Sequence, residues 1–189
     1  MDMDPLLVSL INIQKRLNEH DIPNALIGGF TLTVWGRARA TKDLDLKIML
    51  RRDEANRLLT ALGNDYQLIQ RNPLESLRRN GVIFVQDAAG TRIDLLLAEA
   101  GFDQQALPRA RDVEILPNIW IHVISAEDLI IYKMISTRLL DQADVETVMR
   151  AQGNTLDDAY VISTLRAFEE ALADSTLIVT YQKLRKKYR

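Results

Sequence analysis

The sequence predicts an α/β (α+β) protein in two parts, with a boundary near residue 124. Three observations predict it. Up to that point short apolar runs with strand character alternate with segments of helical period. After Ser125 convincing strand signals stop and the rest reads as helices. No Pro/Gly/Ser-rich spacer lies at the junction, so the two parts, residues 1–124 and 125–189, are expected to pack together.

The elements follow in order. Leu6, Leu7, Leu10, Ile13 and Leu17 keep helical spacing, with Asp4 placed to cap and Pro5 in the first turn. Asp21-Ile22-Pro23 ends that helix, and Asn24 to Ile27 reads as a short strand. Gly28-Gly29 turns the chain into a short helix through Trp35. Lys42 to Leu50 alternates as a strand, and Asp53 is placed to cap a helix running to about Leu62. Tyr66 to Gln70 is a weaker strand. Val82 to Val85 and Thr91 to Leu97 are apolar runs joined by Asp87-Ala88-Ala89-Gly90, a hairpin signal. Ile119 to Ile124 is another strand, whose His122 is assigned no catalytic role. In the helical part Ser125 caps a helix to about Thr137, with Asp128 three residues on as a variant capping box. Asp141 starts a second helix through Ala151, which Gly153-Asn154 breaks. Leu156 to Ala173 and Ser175 to Lys187 are the last two.

Composition narrows the chemistry. With 47% hydrophobic residues the chain can bury a core without staples. It has no cysteine, which excludes disulfides and thiolate metal sites, and only two histidines, which leaves no basis for a His-rich zinc site. Carboxylates are the ligands present in quantity. A formal charge of −2 excludes a chain that is basic overall. The acidic N-terminus MDMDPLLVSL reads as no signal peptide, and no apolar run reaches the ~18 residues of a membrane helix. A cytoplasmic protein is expected.

The densest information lies in LIGGFTLTVWGRARATKDLDLKI and TRIDLLLA. On a strand, side chains alternate, so Asp43 and Asp45 share one face, about 7 Å apart along it. Asp94, in a later apolar run, adds a third carboxylate from another strand. Such an oxygen-rich set suits a hard cation such as Mg²⁺, and two ions about 3.5–4 Å apart suit in-line displacement at phosphorus. Gly28-Gly29 lets backbone N–H groups approach phosphate oxygens. Arg37, Arg39 and Thr41 alternate, so they are placed to face a triphosphate together.

Ile27-Gly28-Gly29, Asp43-Leu44-Asp45-Leu46 and Ile93-Asp94-Leu95 together resemble the signature of the polymerase-β-type nucleotidyltransferases. The later segment SAEDLIIYKMISTRLLDQADVETV is similar to one that bacterial abortive-infection-type nucleotidyltransferase toxins, and their uncharacterised relatives, place after the catalytic sheet. The resemblance spans about residues 24 to 150. It implies a minimal nucleotidyltransferase fold, a short twisted mixed sheet flanked by helices with further helices appended. It implies Mg²⁺ (two ions, with Mn²⁺ as a substitute) held by Asp43, Asp45 and Asp94, which are also the catalytic carboxylates. It implies a nucleoside triphosphate bound by Gly28, Gly29, Arg37, Arg39 and Thr41, with a helical Lys133 and the Asp141-x-x-Asp144 pattern helping to form the nucleotide site. Many family members carry Gly-Ser where this chain has Gly28-Gly29, which leaves the phosphate grip here to backbone and arginine groups.

The acceptor stays open. RNA, in particular tRNA, is the first reading, with the chain as the toxin of a toxin–antitoxin or phage-defence pair and a cognate antitoxin protein as partner. A small molecule or a protein is the second acceptor, and an inactive nucleotide- or partner-binding relative the third reading. Plainer structural readings stand beside each residue: an ion pair from Arg92 or Arg78 for Asp94, surface positions for Arg37 and Arg39, a snorkelling side chain for Lys133, an N-cap for Asp141, and a helix-dipole partner for Asp144. The C-terminal KLRKKYR suits either an RNA backbone or the last turn of a helix.

Overall fold

A computed structural model describes residues 3–99, 101–136 and 138–188. It divides the chain into two compact units, Met1–Phe30 with Ala40–Ile124 and Thr31–Arg39 with Ser125–Arg189. The short stretch after the Gly-Gly turn thus groups with the helical part.

The first unit is built on a seven-stranded mixed sheet in the order β3-β4-β5-β2-β1-β7-β6. Its strands are β1 (Asn24–Ile27), β2 (Asp43–Ile48), β3 (Gln67–Leu68), β4 (Val82–Gln86), β5 (Arg92–Leu97), β6 (Arg111–Leu116) and β7 (Ile119–Val123). β2 is the middle strand. It pairs antiparallel with β1 and parallel with β5, while β4 joins β5 through an antiparallel hairpin. The hairpin turn is fixed by Asp87, whose Oδ1 accepts the N–H groups of Ala89 and Thr91, and by Gly90 at φ 83°.

Strict alternation gives the central strands two unlike faces. Leu44, Leu46 and Ile48 on β2, Ile93 and Leu95 on β5, and Ile83 and Val85 on β4 are fully buried on one face. Asp43, Asp45, Arg92 and Asp94 lie on the other, which stays partly open. Helix α1 (Pro5–Glu19) lies against β1, β2 and β7 with Leu10, Ile13 and Leu17 buried. Asp4 caps it as expected, accepting the Leu6 N–H at 2.9 Å. α3 (Ala55–Leu62), α4 (Pro73–Asn80) and α5 (Phe102–Ala106) complete the helices of this unit.

Several boundaries differ from those expected. Asp53 caps nothing: both of its oxygens accept from the Arg51 guanidinium, and α3 starts later, at Ala55. α4, α5 and β6 carry weak periodic signals. In α4 only Leu77 is fully buried, so its apolar stripe is too thin to read, although Pro73 at its start and left-handed Gly81 at its end mark it. β6 is an edge strand with little buried surface, so it lacks a continuous apolar face.

The second unit is helical: α2 (Leu32–Trp35), α6 (Ala126–Met134), α7 (Leu139–Gln152), α8 (Asp158–Leu172) and α9 (Leu177–Lys187). Leu129, Ile130, Ile131, Val145, Val148, Met149, Val161, Leu165 and Tyr181 form its core. Ser125 caps α6, accepting the Asp128 N–H and donating its hydroxyl to Asp128 Oδ2. The end expected for α6, Thr137, lies outside the described residues; the helix itself stops at Met134. Asp141 is not the N-cap of α7. Arg138 holds that position and Asp141 lies within the first turn. Among the described residues no helix is long and apolar enough to cross a membrane.

Because Leu95 is fully buried on a central strand, Leu95→Ala is expected to lower unfolding free energy by about 2–5 kcal/mol, read as a shifted denaturant midpoint with an unchanged slope.

Candidate active site

Parallel pairing fixes the arrangement of the carboxylates. Asp45 faces Asp94 and Asp43 faces Arg92 in the β2–β5 register. In-register neighbours project to the same side, and adjacent strands lie about 4.8 Å apart. The result is a two-by-two array of three carboxylates and one guanidinium on the middle strands. A loop position can drift; here the backbone ladder holds all four Cα atoms.

Each acid has a distinct setting. Asp43 Oδ1 accepts the Thr41 hydroxyl at 3.1 Å. Asp45 packs against Gly28, which closes β1 at φ 71°, and a Cβ there would run into the Asp45 carboxylate. Gly28 is therefore required twice, for its left-handed backbone and for the room it leaves. Asp94 accepts both arms of Arg92, Nε to Oδ1 at 2.7 Å and a terminal nitrogen to Oδ2 at 3.0 Å. The ion pair offered by the sequence as the plain reading of Asp94 is thus present. Arg92 also lies over the Phe84 ring, 4.5 Å from its centroid.

The donor chemistry fits a hard divalent ion: three carboxylates on one face, with two of the carrying residues in direct register. As the side chains stand, no three of the described His, Asp and Glu residues close around one ion position. Asp94 is turned to Arg92 with both oxygens.

The second unit holds a different charge cluster. Lys133 on α6 is buried and donates to Asp141 Oδ1 at 2.9 Å and Asp144 Oδ2 at 2.7 Å. Arg39 grips Asp144 with two bonds, at 3.0 and 3.1 Å. Arg138 donates to Asp141 Oδ2 at 2.7 Å. The chain of partners runs Arg39–Asp144–Lys133–Asp141–Arg138, with its three middle members almost fully buried. Lys133 does not snorkel, because its ammonium has two carboxylates within the fold. Burial pushes the Asp141 carboxyl up, but hydrogen bonds from Ser136, Lys133 and Arg138 outweigh it and hold the group below the usual carboxylate range.

Of the expected nucleotide residues, the structure brings together Arg39, Lys133 and Asp144 in this cluster, and Gly28 and Thr41 with Asp45 and Asp43 in the carboxylate array. Gly29 begins the 3₁₀ turn after β1. Arg37 is exposed. Arg92 and Arg138 were not among the expected site residues. Both had a signal: Arg92 stands two positions from Asp94 on a strand, and Arg138 stands three from Asp141 on a helix. Of the C-terminal basic cluster, Arg185 turns inward to Asp158 at 2.6 Å and Lys187 pairs with Glu146, while Lys183 and Lys186 are exposed. Arg189 lies outside the described residues.

No protein-family profile matches the chain, and no curated protein is similar to it in sequence. Solved structures do share its fold. The antibiotic-resistance factor ANT(2'')-Ia aligns with a TM-score of 0.60 at 14% identity, covering 90% of this chain and 95% of its own. An antigenic nucleotidyltransferase-like protein from Paracoccidioides brasiliensis aligns with a TM-score of 0.54 at 15% identity, covering 90% of each chain. The lincosamide antibiotic adenylyltransferase LnuA, with lincomycin bound, gives 0.51 at 13% identity, covering 78% of this chain and 98% of its own. The likeness at these identities is one of fold. The chain has the nucleotidyltransferase fold that its Gly-Gly and Asp-x-Asp resemblance implies.

Two outcomes test the site's construction. Gly28→Ala puts a Cβ in a left-handed position, at a cost of roughly 1–2 kcal/mol before the clash with Asp45 is added, and a lowered melting temperature is expected. Lys133→Met leaves Asp141 and Asp144 without their shared cation and should destabilise by about 3–5 kcal/mol at pH 7. The depressed Asp141 carboxyl stabilises the fold above its ordinary titration range, and that contribution is lost as pH falls through its lowered value. In Lys133→Met the Asp141 carboxyl protonates more readily, so the gap between variant and parent, followed by urea unfolding, should narrow from pH 7 to pH 4.

Proposed function

We propose that the chain is a Mg²⁺-dependent nucleotidyltransferase that moves a nucleoside monophosphate from a nucleoside triphosphate to an acceptor hydroxyl. The observation that carries this reading is the β2–β5 pairing, which sets Asp45 beside Asp94 and Asp43 one step along the same face of a nucleotidyltransferase fold. The acceptor oxygen forms a bond to the α-phosphorus, and the bond from that phosphorus to the pyrophosphate oxygen breaks. Asp43, Asp45 and Asp94 would hold two Mg²⁺ ions, or Mn²⁺ in their place. When bound, the ions offset the negative charge that builds on the attacking and leaving oxygens. Asp94 receives the proton lost by the acceptor, and Thr41 keeps Asp43 oriented. Backbone N–H groups at Gly28 and Gly29 serve the phosphates, with Arg37 and Arg39 as the cations. Lys133 acts in nucleotide binding through Asp144, the residue that holds the Arg39 guanidinium.

For the acceptor we favour RNA, with tRNA the leading candidate. The chain would then be the toxin of a toxin–antitoxin or phage-defence system, working in the cytoplasm with a cognate antitoxin. Support comes from the helical segment that resembles those toxins, whose Lys133, Asp141 and Asp144 form one buried cluster. The fold neighbours favour a second reading, a small-molecule hydroxyl: ANT(2'')-Ia is an antibiotic-resistance factor and LnuA a lincosamide antibiotic adenylyltransferase.

The test offers each α-labelled nucleoside triphosphate with Mg²⁺ to total RNA, to a panel of hydroxylated antibiotics and to protein. Transfer is expected, with a loss of at least about 100-fold in Asp43→Asn/Asp45→Asn, since both residues act on the reacting phosphate. Label in RNA supports the first acceptor and label on an antibiotic the second. Absence of transfer to every acceptor would overturn the transferase reading.

A further inference from the structure

Arg92 is the cationic member of the carboxylate array. It faces Asp43 across the β2–β5 register and spends a bidentate grip on Asp94. The Asp94 side chain is 14% exposed and that of Arg92 48% exposed, so the acid is anchored in the sheet while the base reaches it from the solvent side. Arg92 lies over the face of Phe84, which pairs with Asp94 on the far side of β5.

We propose that Arg92 is a built-in counter-ion of the carboxylate face, which a divalent ion must displace from Asp94. The proposal rests on the metal-dependent reading above and adds a regulator to it. Three carboxylates within neighbouring strand positions repel one another, and without a cation the repulsion opposes formation of the β2–β5 pair. Arg92 supplies that cation from the chain itself. Its grip uses both Asp94 oxygens, so Asp94 cannot hold the guanidinium and ligate an ion with the same lone pairs at full strength. Metal binding is therefore an exchange, and the measured affinity is the intrinsic one lowered by the cost of releasing Arg92. The side chain is long, half-exposed and attached at the mouth of the face, so it can swing outward with no change in the sheet.

Titration with MnCl₂ alone, followed by the electron paramagnetic resonance signal of free Mn²⁺, tests this on the full chain. Arg92→Gln is expected to bind Mn²⁺ about tenfold more tightly than the parent, and Arg92→Lys, which keeps the charge and loses the fork, to fall between them. In EDTA Arg92→Gln should melt below the parent, and saturating Mn²⁺ should close most of that difference. The double variant Arg92→Gln/Asp94→Asn should lose the gain in affinity. Equal or weaker binding by Arg92→Gln, or a gain that survives in the double variant, overturns the exchange while leaving the metal site standing. Absence of Mn²⁺ binding in both parent and Arg92→Gln overturns the metal reading itself, and the exchange with it.

Discussion

Repulsion among three carboxylates on one face of two paired strands is the constraint around which the first unit is built. Asp43, Asp45 and Asp94 can share that face only because something holds their backbones together more strongly than the charges push them apart. The parallel ladder of β2 with β5 does so, reinforced by apolar burial on the opposite side of the same strands, where Leu44, Leu46, Ile93 and Leu95 are sealed from water. The alternation that exposes the acids also buries the leucines, so the force that assembles the sheet and the charges that oppose it are carried by the same strands.

The second unit solves a related problem differently. Asp141 and Asp144 are almost fully buried, where a carboxylate needs a partner, and they share Lys133. Arg39 and Arg138 close the two ends of the row. Each buried anion thus has two cationic partners, which satisfies most of its lone pairs as well as its charge. Such a row contributes little to stability compared with an apolar replacement, and its cost when broken is large. At one end of it the Arg39 guanidinium is held by two bonds to Asp144.

The strands that carry the acids were legible because β2 and β5 alternate cleanly and their polar positions are all of one kind. The same alternation put Asp43 and Asp45 on one face before any pairing was known. The β2–β5 register was not legible, because nothing local to either strand says which residue meets Asp45. Asp141 read as a cap because Asp at a helix start commonly is one, whereas here the preceding Arg138 takes the cap position and frees Asp141 for Lys133. α4 and β6 were missed for a shared reason: each buries so little that its sequence lacks the period that burial imposes. Arg92 was legible as an ion-pair partner of Asp94, but not as a neighbour of Asp43, because only the register sets the two opposite each other.

The separation in sequence between β2 and β5 carries a consequence for the newly made chain. Asp43 and Asp45 emerge from the ribosome well before Asp94, with two helices and two strands still to be made between them. β1 and β2 can pair first, as near neighbours in sequence, but the middle of the sheet closes only when β5 docks alongside β2. Long-range pairings of this kind form late and set the pace of folding. Until β5 has been made, the carboxylate face does not exist as a unit, and a chain released before residue 92 has neither Asp94 nor Arg92. The carboxylate face is therefore withheld by topology until most of the first unit has been synthesised.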